Sequence, residues 1–230
     1  QIKLMAGGGV ASLYDPLDST QFTERELRAA VEAADDWGTY VMVHVYTPKG
    51  IQRSLRAGVK SIEHGQLADE EAARMMAGEG SWWSLQPFLQ DEDANVYPDA
   101  ARRESQWQVA EGTVRAYELA QRFDIHTAWG TDILFSPQNT PNQLRQLAKL
   151  TRFYDPLTVL AMATSRNGEL LALSGPRNPY PGTLGKIEPG AWADLLLVDG
   201  DPSRSLDFLH DPEQNLRMIM KGGRIYKDTR

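Results

Sequence analysis

Four histidines are spread over 230 residues, and two of them, His44 and His64, occupy equivalent places. His44 closes the apolar run Val41-Met42-Val43, and His64 closes Ser61-Ile62-Glu63. Asp132 falls just past a third run, in Trp129-Gly130-Thr131-Asp132. Two imidazoles and a carboxylate at strand ends are a donor set for Zn²⁺ or Mn²⁺, because nitrogen and oxygen ligands suit these ions and functional groups gather where parallel strands end. One such histidine alone is more often a hydrogen-bonded structural residue; the pair with the carboxylate shifts the reading toward a metal. Lys3, within Ile2-Lys3-Leu4-Met5, is a further candidate. A buried amine has a depressed pKa and can react with CO₂ to give a carbamate, whose two oxygens can bridge two cations. Strand periodicity by itself favours the alternative, an outward-pointing lysine. His126 opens its run instead of closing it and His210 lies in the tail, so neither is assigned a catalytic role.

These residues need elements to carry them. From residue 1 to about 165, short apolar runs alternate with amphipathic stretches, the pattern of repeated βα units and a parallel sheet. Strands are expected over Ile2 to Met5, Tyr40 to Val45, Lys60 to Glu63, Trp82 to Gln86 and His126 to Trp129. Thr23 with Glu26 forms a capping box before one helix, Thr47-Pro48 opens a second, Asp69 caps a third, and a long helix is expected from about Asp99 to Phe123. Further helices are expected from about Asn142 to Phe153 and from Pro156 to Leu173. The loop Gln90 to Pro98 has the position of a lid or insertion. Gly7-Gly8-Gly9 lacks the G-x-G-x-x-G spacing of a dinucleotide site and is better read as a tight turn with close backbone approach to a metal or substrate. Division into residues 1–173, a βα domain, and 174–230, a Gly/Pro-rich linker with a small β appendage, follows from the change in texture after Leu173.

Composition narrows the function. With 41% hydrophobic and 24% charged residues the chain is long enough to bury a sizeable core. A net charge of -7 with scattered Lys and Arg gives no basic stripe for nucleic acid. No apolar run approaches the ~20 residues that span a bilayer, so a soluble protein is expected, with the cytoplasm ahead of a secreted or periplasmic location. The absence of cysteine removes thiolate ligands and disulfides. A start at Gln1 rather than Met suggests a longer reading frame or processing.

Read together, Ile2-Lys3-Leu4-Met5-Ala6-Gly7-Gly8-Gly9-Val10, His44-Val45-Tyr46-Thr47, Ser61-Ile62-Glu63-His64-Gly65 and Gly130-Thr131-Asp132 resemble the amidohydrolase superfamily, in its imidazolonepropionase-like and Xaa-Pro dipeptidase-like branch. The tail, Gly185 to Leu195 followed by Asp199-Gly200-Asp201-Pro202, resembles that family's return from barrel to β-sandwich. The resemblance covers nearly the whole chain and implies a TIM-type (β/α)8 barrel of which strands four to eight are present, with a C-terminal portion of the small β-sandwich. It implies Lys3 as the carbamylated bridging ligand, His44 and His64 as metal ligands, and Asp132 as metal ligand and proton shuttle. Zn²⁺ is the implied ion, one or two per site, with Mn²⁺ or Fe²⁺ as substitutes and CO₂ needed for the carbamate. The His-x-His pair the family carries on strand one does not occur in these residues.

What the resemblance implies is hydrolysis of an amide or peptide C–N bond by metal-activated water, with a dipeptide or N-acyl amino acid as substrate. Tyr46 is a candidate for binding the substrate carbonyl or carboxylate, and Gln86 for facing the pocket, with ordinary loop packing the competing reading of both. As partners, a second copy or a missing N-terminal segment is expected against the open side of the sheet. Two other classes compete: a non-catalytic truncated barrel that acts by association, and a cofactor-binding α/β domain, disfavoured by the absent phosphate fingerprint.

Overall fold

The computed structural model describes residues 1–133 and 137–230. Five strands, β1 (Ile2–Met5), β2 (Val41–Val45), β3 (Ser61–His64), β4 (Trp82–Leu85) and β5 (Thr127–Trp129), form one sheet in chain order, each pair parallel. The crossovers are α1 (Glu24–Asp36), α2 (Pro48–Arg56), α3 (Glu70–Gly78) and α4 (Ala100–Arg122). Each start has a local cause. Thr23 and Glu26 close a reciprocal capping box, and the Asp69 and Asp99 carboxylates accept the N–H groups of Ala72 and Arg102. Thr47 makes no capping bond, and Pro48, pre-set for a first helical turn, opens α2 alone.

The period of two divides the strands between two environments. Val41, Val43 and Val45 of β2, with Ile62, Trp83 and Leu85, are fully or almost fully buried against Leu27, Ile51, Leu55, Met76, Tyr117 and Ala120 of the helices. The intervening Met42 and Trp82 pack on the other face with Tyr40, Ala128 and Leu170. The sheet is not closed: β1 and β5 are its edges.

Three stretches differ from the sequence expectation. The region after Pro137 is split into a 3-10 turn, α5 (Gln143–Lys149) and a second 3-10 turn. The helix from Pro156 is α6 (Pro156–Ala161), a π turn over Met162–Arg166, and α7 (Asn167–Ala172). The tail holds the antiparallel sheet β6 (Leu195–Val198), β7 (Leu216–Lys221) and β8 (Arg224–Asp228), with the short α8 (Pro212–Asn215), but it is not only a β appendage. Leu206, Phe208 and Leu209 are buried in the main core, on α5, around the 3-10 turn Asp207–His210. A three-residue apolar cluster is too short for periodicity to place. Among the described residues, no helix is long and apolar enough to cross a membrane.

Gly112 lies in the middle of α4, where a glycine ordinarily weakens a helix. Here α4 crosses the loop after β3 so closely that a Cβ at Gly112 would collide with the Gln66 carbonyl. Gly112→Ala should therefore lower stability by about 1–3 kcal/mol, where helix propensity alone gives a gain of about 1 kcal/mol. Urea denaturation checks the sign, and a stabilised variant would refute the close approach.

Candidate active site

His44 is the penultimate residue of β2 and is buried, and its Nε2 lies 3.0 Å from the Gly8 carbonyl. A carbonyl accepts only, so Nε2 carries the proton and Nδ1 keeps its lone pair. The tight turn expected at Gly7-Gly8-Gly9 is what brings this carbonyl in, since a Cβ at Gly8 would strike the Pro16 carbonyl and one at Gly9 would stand 3.4 Å from His44 Nε2.

His64 reaches the same place by a different route. In the β2–β3 register Glu63 stands beside His44, and His64 beside Val45, which is packed against the helices. Strict alternation would send the His64 ring to that helix side. The backbone at His64 is instead left-handed, φ 73°, followed by Gly65 at φ 75°, and the two imidazoles meet with centroids 4.6 Å apart. Trp83 Nε1 donates to the His64 carbonyl at 2.7 Å, and any Cβ on Gly65 would press on that indole nitrogen.

The Gln86 amide nitrogen donates to the Ser84 carbonyl at 3.2 Å, which turns its Oε1 to His64 Nδ1 at 2.8 Å. Nδ1 is therefore the donor and Nε2 the free nitrogen of His64. Gln86 does not line the cavity; against the sequence expectation it stands behind His64 and fixes the ring. Tyr46 does line the cavity, edge-on to His44 and stacked at 5.0 Å on His64, and Phe88 stacks on His64 at 6.1 Å.

Burial lowers the pKa of both imidazoles. For His64, desolvation is the main cause, the charges of His44 and Lys3 add to it, and the Gln86 bond opposes it, leaving the group at about 3. His44 is lowered by desolvation and Lys3 against the opposing effects of the Gly8 bond and Asp15. Asp132, at φ 51° beyond β5, is shifted the other way by the same desolvation, supported by Glu63 and opposed by Lys3. Lys3, His44, His64 and Asp132 all line one cavity of about 550 Å³. Lys3 is exposed; the deep burial that would depress its amine is not found, because the face of β1 it occupies borders the open cavity.

Among the described residues, no three His, Cys, Asp or Glu side chains form a metal-binding group. The donor chemistry nevertheless fits a divalent ion once Lys3 is included as a carbamate. Both imidazoles are held neutral, each has one nitrogen tied to an oxygen acceptor, and the other nitrogens, His44 Nδ1 and His64 Nε2, have no partner among the described residues. A neutral ring fixed through its outer N–H is the form in which histidine binds zinc.

The loop expected as a lid or insertion lines the cavity, but the clamp that holds it has no local sequence signal. Asp93, in the loop after β4, has a buried carboxylate that meets Arg145 and Lys149 of α5, with Lys149 Nζ also 2.7 Å from Asp91 Oδ2 and Asn142 donating to Asp93 at 3.3 Å. Burial works to raise the Asp93 carboxyl, and the bonds and charges of Arg145 and Lys149 outweigh it, so it sits below the usual carboxylate range. This clamp holds the segment carrying Phe88 and Tyr97 over the site.

The sequence matches the amidohydrolase family over residues 1–226. It is 29% identical over 233 aligned positions to ochratoxinase from Aspergillus niger, covering 98% of this chain and 46% of the relative. Among crystal structures, an amidohydrolase is similar with a TM-score of 0.84 at 35% identity, over 99% of this chain and 54% of that one. A prolidase in complex with N-methylphosphonate-L-proline gives 0.86 at 29% identity, over 98% and 55%. The chain spans about half the length of the curated relatives it matches. With a family match running through both sheets and all four cavity residues named above, the chain belongs to the amidohydrolase family.

Proposed function

We propose that the chain is part of a divalent-metal-dependent hydrolase that cleaves an amide or peptide C–N bond, with dipeptides or N-acyl amino acids as substrates. The observation that carries this reading is the pair of buried, neutral imidazoles, each anchored through one nitrogen with the other free. The printed names of the relatives, an amidohydrolase, a prolidase and an ochratoxinase, support the reaction class. In this reading the five parallel strands are the fourth to eighth of a (β/α)8 barrel, β6 to β8 are its portion of a β-sandwich, and the open edge of β1 is covered by further polypeptide or a second copy.

His44, His64, Asp132 and Lys3 as its carbamate would hold one ion, Zn²⁺ or in its place Mn²⁺ or Fe²⁺, and a second only with the His-x-His pair that does not occur in these residues. Such an ion lowers the pKa of a bound water toward neutrality. Asp132, its carboxyl raised by burial, takes the proton of the attacking water and returns it to the leaving nitrogen. The Tyr46 hydroxyl, pushed well above its usual pKa by burial, stays protonated and donates to the substrate carbonyl or carboxylate. Phe88 and Tyr97, held by the Asp93 clamp, limit the water around the reacting bond.

Metal content tests this directly. After dialysis against Zn²⁺ with bicarbonate, the chain should keep at most one ion, and His64→Ala should lose it. Two tightly held ions, or one unaffected by the substitution, would overturn the ligand assignment.

The neutral imidazoles make a second prediction, for the metal-free chain. Because both are depressed in the folded state, the unfolded chain binds more protons, and stability falls as pH drops below the free-imidazole value of 6.5. At pH 5, one and a half pH units lower, keeping His64 neutral costs roughly 2 kcal/mol at ~1.4 kcal/mol per unit. Thermal melts between pH 7.5 and 5 should show this slope, and His64→Ala should flatten it.

A further inference from the structure

We infer that Asn167 is a positioning residue for Asp132, its carboxamide holding both backbone groups of the last residue of β5. The inference rests on the reading that Asp132 carries the proton in catalysis, and it begins from the ladder. β5 has three residues and, among the described residues, pairs with β4 on one side. Trp83 N–H donates to the His126 carbonyl, so in a parallel ladder the backbone groups of His126 and Ala128 face β4, and those of Thr127 and Trp129 face away. Trp129 is the last residue of β5, and its N–H and C=O point away from β4.

Asn167 takes both. Its Oδ1 accepts the Trp129 N–H at 3.0 Å and its Nδ2 donates to the Trp129 carbonyl at 2.9 Å. This two-point contact fixes the orientation of the carboxamide, since the N–H can only donate and the C=O only accept. It also fixes the peptide plane from which the chain leaves through Gly130 and Thr131 to Asp132. Gly130 has nothing near its Cβ position, Thr131 Oγ1 accepts the Ile133 N–H at 3.4 Å across Asp132, and Asp132 holds a left-handed φ of 51° that its surroundings must support.

The helix carrying Asn167 is built for this. Asn167 follows directly on the π turn Met162–Arg166, a local insertion that frequently marks functional sites. Val159 and Met162 before it are buried in the main core, and Leu170 after it in the cluster under the site, so both flanks are anchored while the junction turns to β5. Arg166, the preceding residue, donates to Thr127 Oγ1 at 3.1 Å, tying the same junction to the same strand one pleat earlier.

Amide hydrogen exchange on the full chain tests this, with Zn²⁺ affinity from chelator competition as a second measurement. Asn167→Leu, close in volume and without hydrogen bonds, should speed exchange at Trp129 and at Thr131 to Ile133 by about tenfold or more, while Ala128, bonded to β4, stays protected. Asn167→Asp, which keeps the acceptor for the Trp129 N–H and loses the donor to its carbonyl, should leave Trp129 protected and still speed Thr131 to Ile133; it serves if the leucine variant does not fold. Ser165→Ala, in the same π turn, should change none of these. In the Zn²⁺ measurement Asn167→Leu should weaken binding to the same extent as Asp132→Ala, and the double variant no further. Unchanged exchange at Thr131 to Ile133 in both Asn167 variants, a matching rise in Ser165→Ala, or additive losses in the double variant would each overturn the inference. A parent chain that binds no Zn²⁺ would count against the proposed function, while the exchange data would still decide the role of Asn167.

Discussion

The left-handed backbone at His64 is the constraint on which the site depends. A strand delivers alternate side chains to opposite faces, and the register that sets Glu63 beside His44 would leave His64 among the helices. One residue at φ 73° reverses this. A non-glycine residue in that region costs on the order of 1–3 kcal/mol unless its surroundings impose it. Here they do: Trp83, fully buried on the helix side, holds the His64 carbonyl through its indole N–H, Gly65 leaves room for that ring, and Gln86 holds the imidazole. The strain is therefore located between an apolar core that fixes Trp83 and a cavity that receives the ring. Asp132 repeats the arrangement at φ 51° beyond β5. Two of the three non-glycine residues with positive φ among the described residues are thus cavity residues, which is the distribution expected when local strain sets the direction of functional groups.

Much of the scaffold was legible because its signals are local. Thr23 with Glu26, Asp69 and Asp99 each cap the helix they were expected to open, and the apolar runs became the five parallel strands. The strand-end pattern also singled out His44, His64 and Asp132, and the triple glycine beside His44. What was not legible depends on contacts between residues far apart in sequence. Nothing local pairs Asp93 with Arg145 and Lys149, more than fifty residues on. Gln86 was expected to face the pocket, since its strand position does; its orientation is decided by Ser84 and His64. The exposure of Lys3 agrees with the outward-pointing lysine that periodicity favours, but the cavity it borders is reported by no periodicity. Leu206, Phe208 and Leu209 join the main core although their neighbours in sequence form a separate sheet.

The two ends of the cavity are supported differently, and this bears on which parts can move. His44 and His64 sit on strands bonded on both sides, with partners buried in the main core. Asp132 lies in the loop after β5, and the roof over it is held by charged groups of α5 that are partly exposed, Arg145 most of all. Strand-borne groups keep a fixed separation, as ligands for a small cation require. Loop-borne groups can adjust, at the cost of needing devices such as the Asn167 carboxamide and the Asp93 clamp to hold a default position.

Electrostatics couple these parts through Lys3. Desolvation favours the neutral form of every group around the cavity, lowering His44 and His64 and raising Asp132. The Lys3 ammonium acts on all three: it reinforces the neutral imidazoles and opposes the neutral carboxyl. Carbamylation would turn that cation into an anion and reverse each effect, making the imidazoles easier to protonate and Asp132 harder to ionise. A cation among the four groups would reverse them again, favouring free imidazole lone pairs and ionised Asp132 together. Carbamate formation and cation binding are then mutually reinforcing, because each offsets the electrostatic penalty the other leaves. With Lys3 as an ammonium, burial and charge together give two neutral imidazoles, a carboxyl shifted toward its acid, and an exposed lysine on the same cavity.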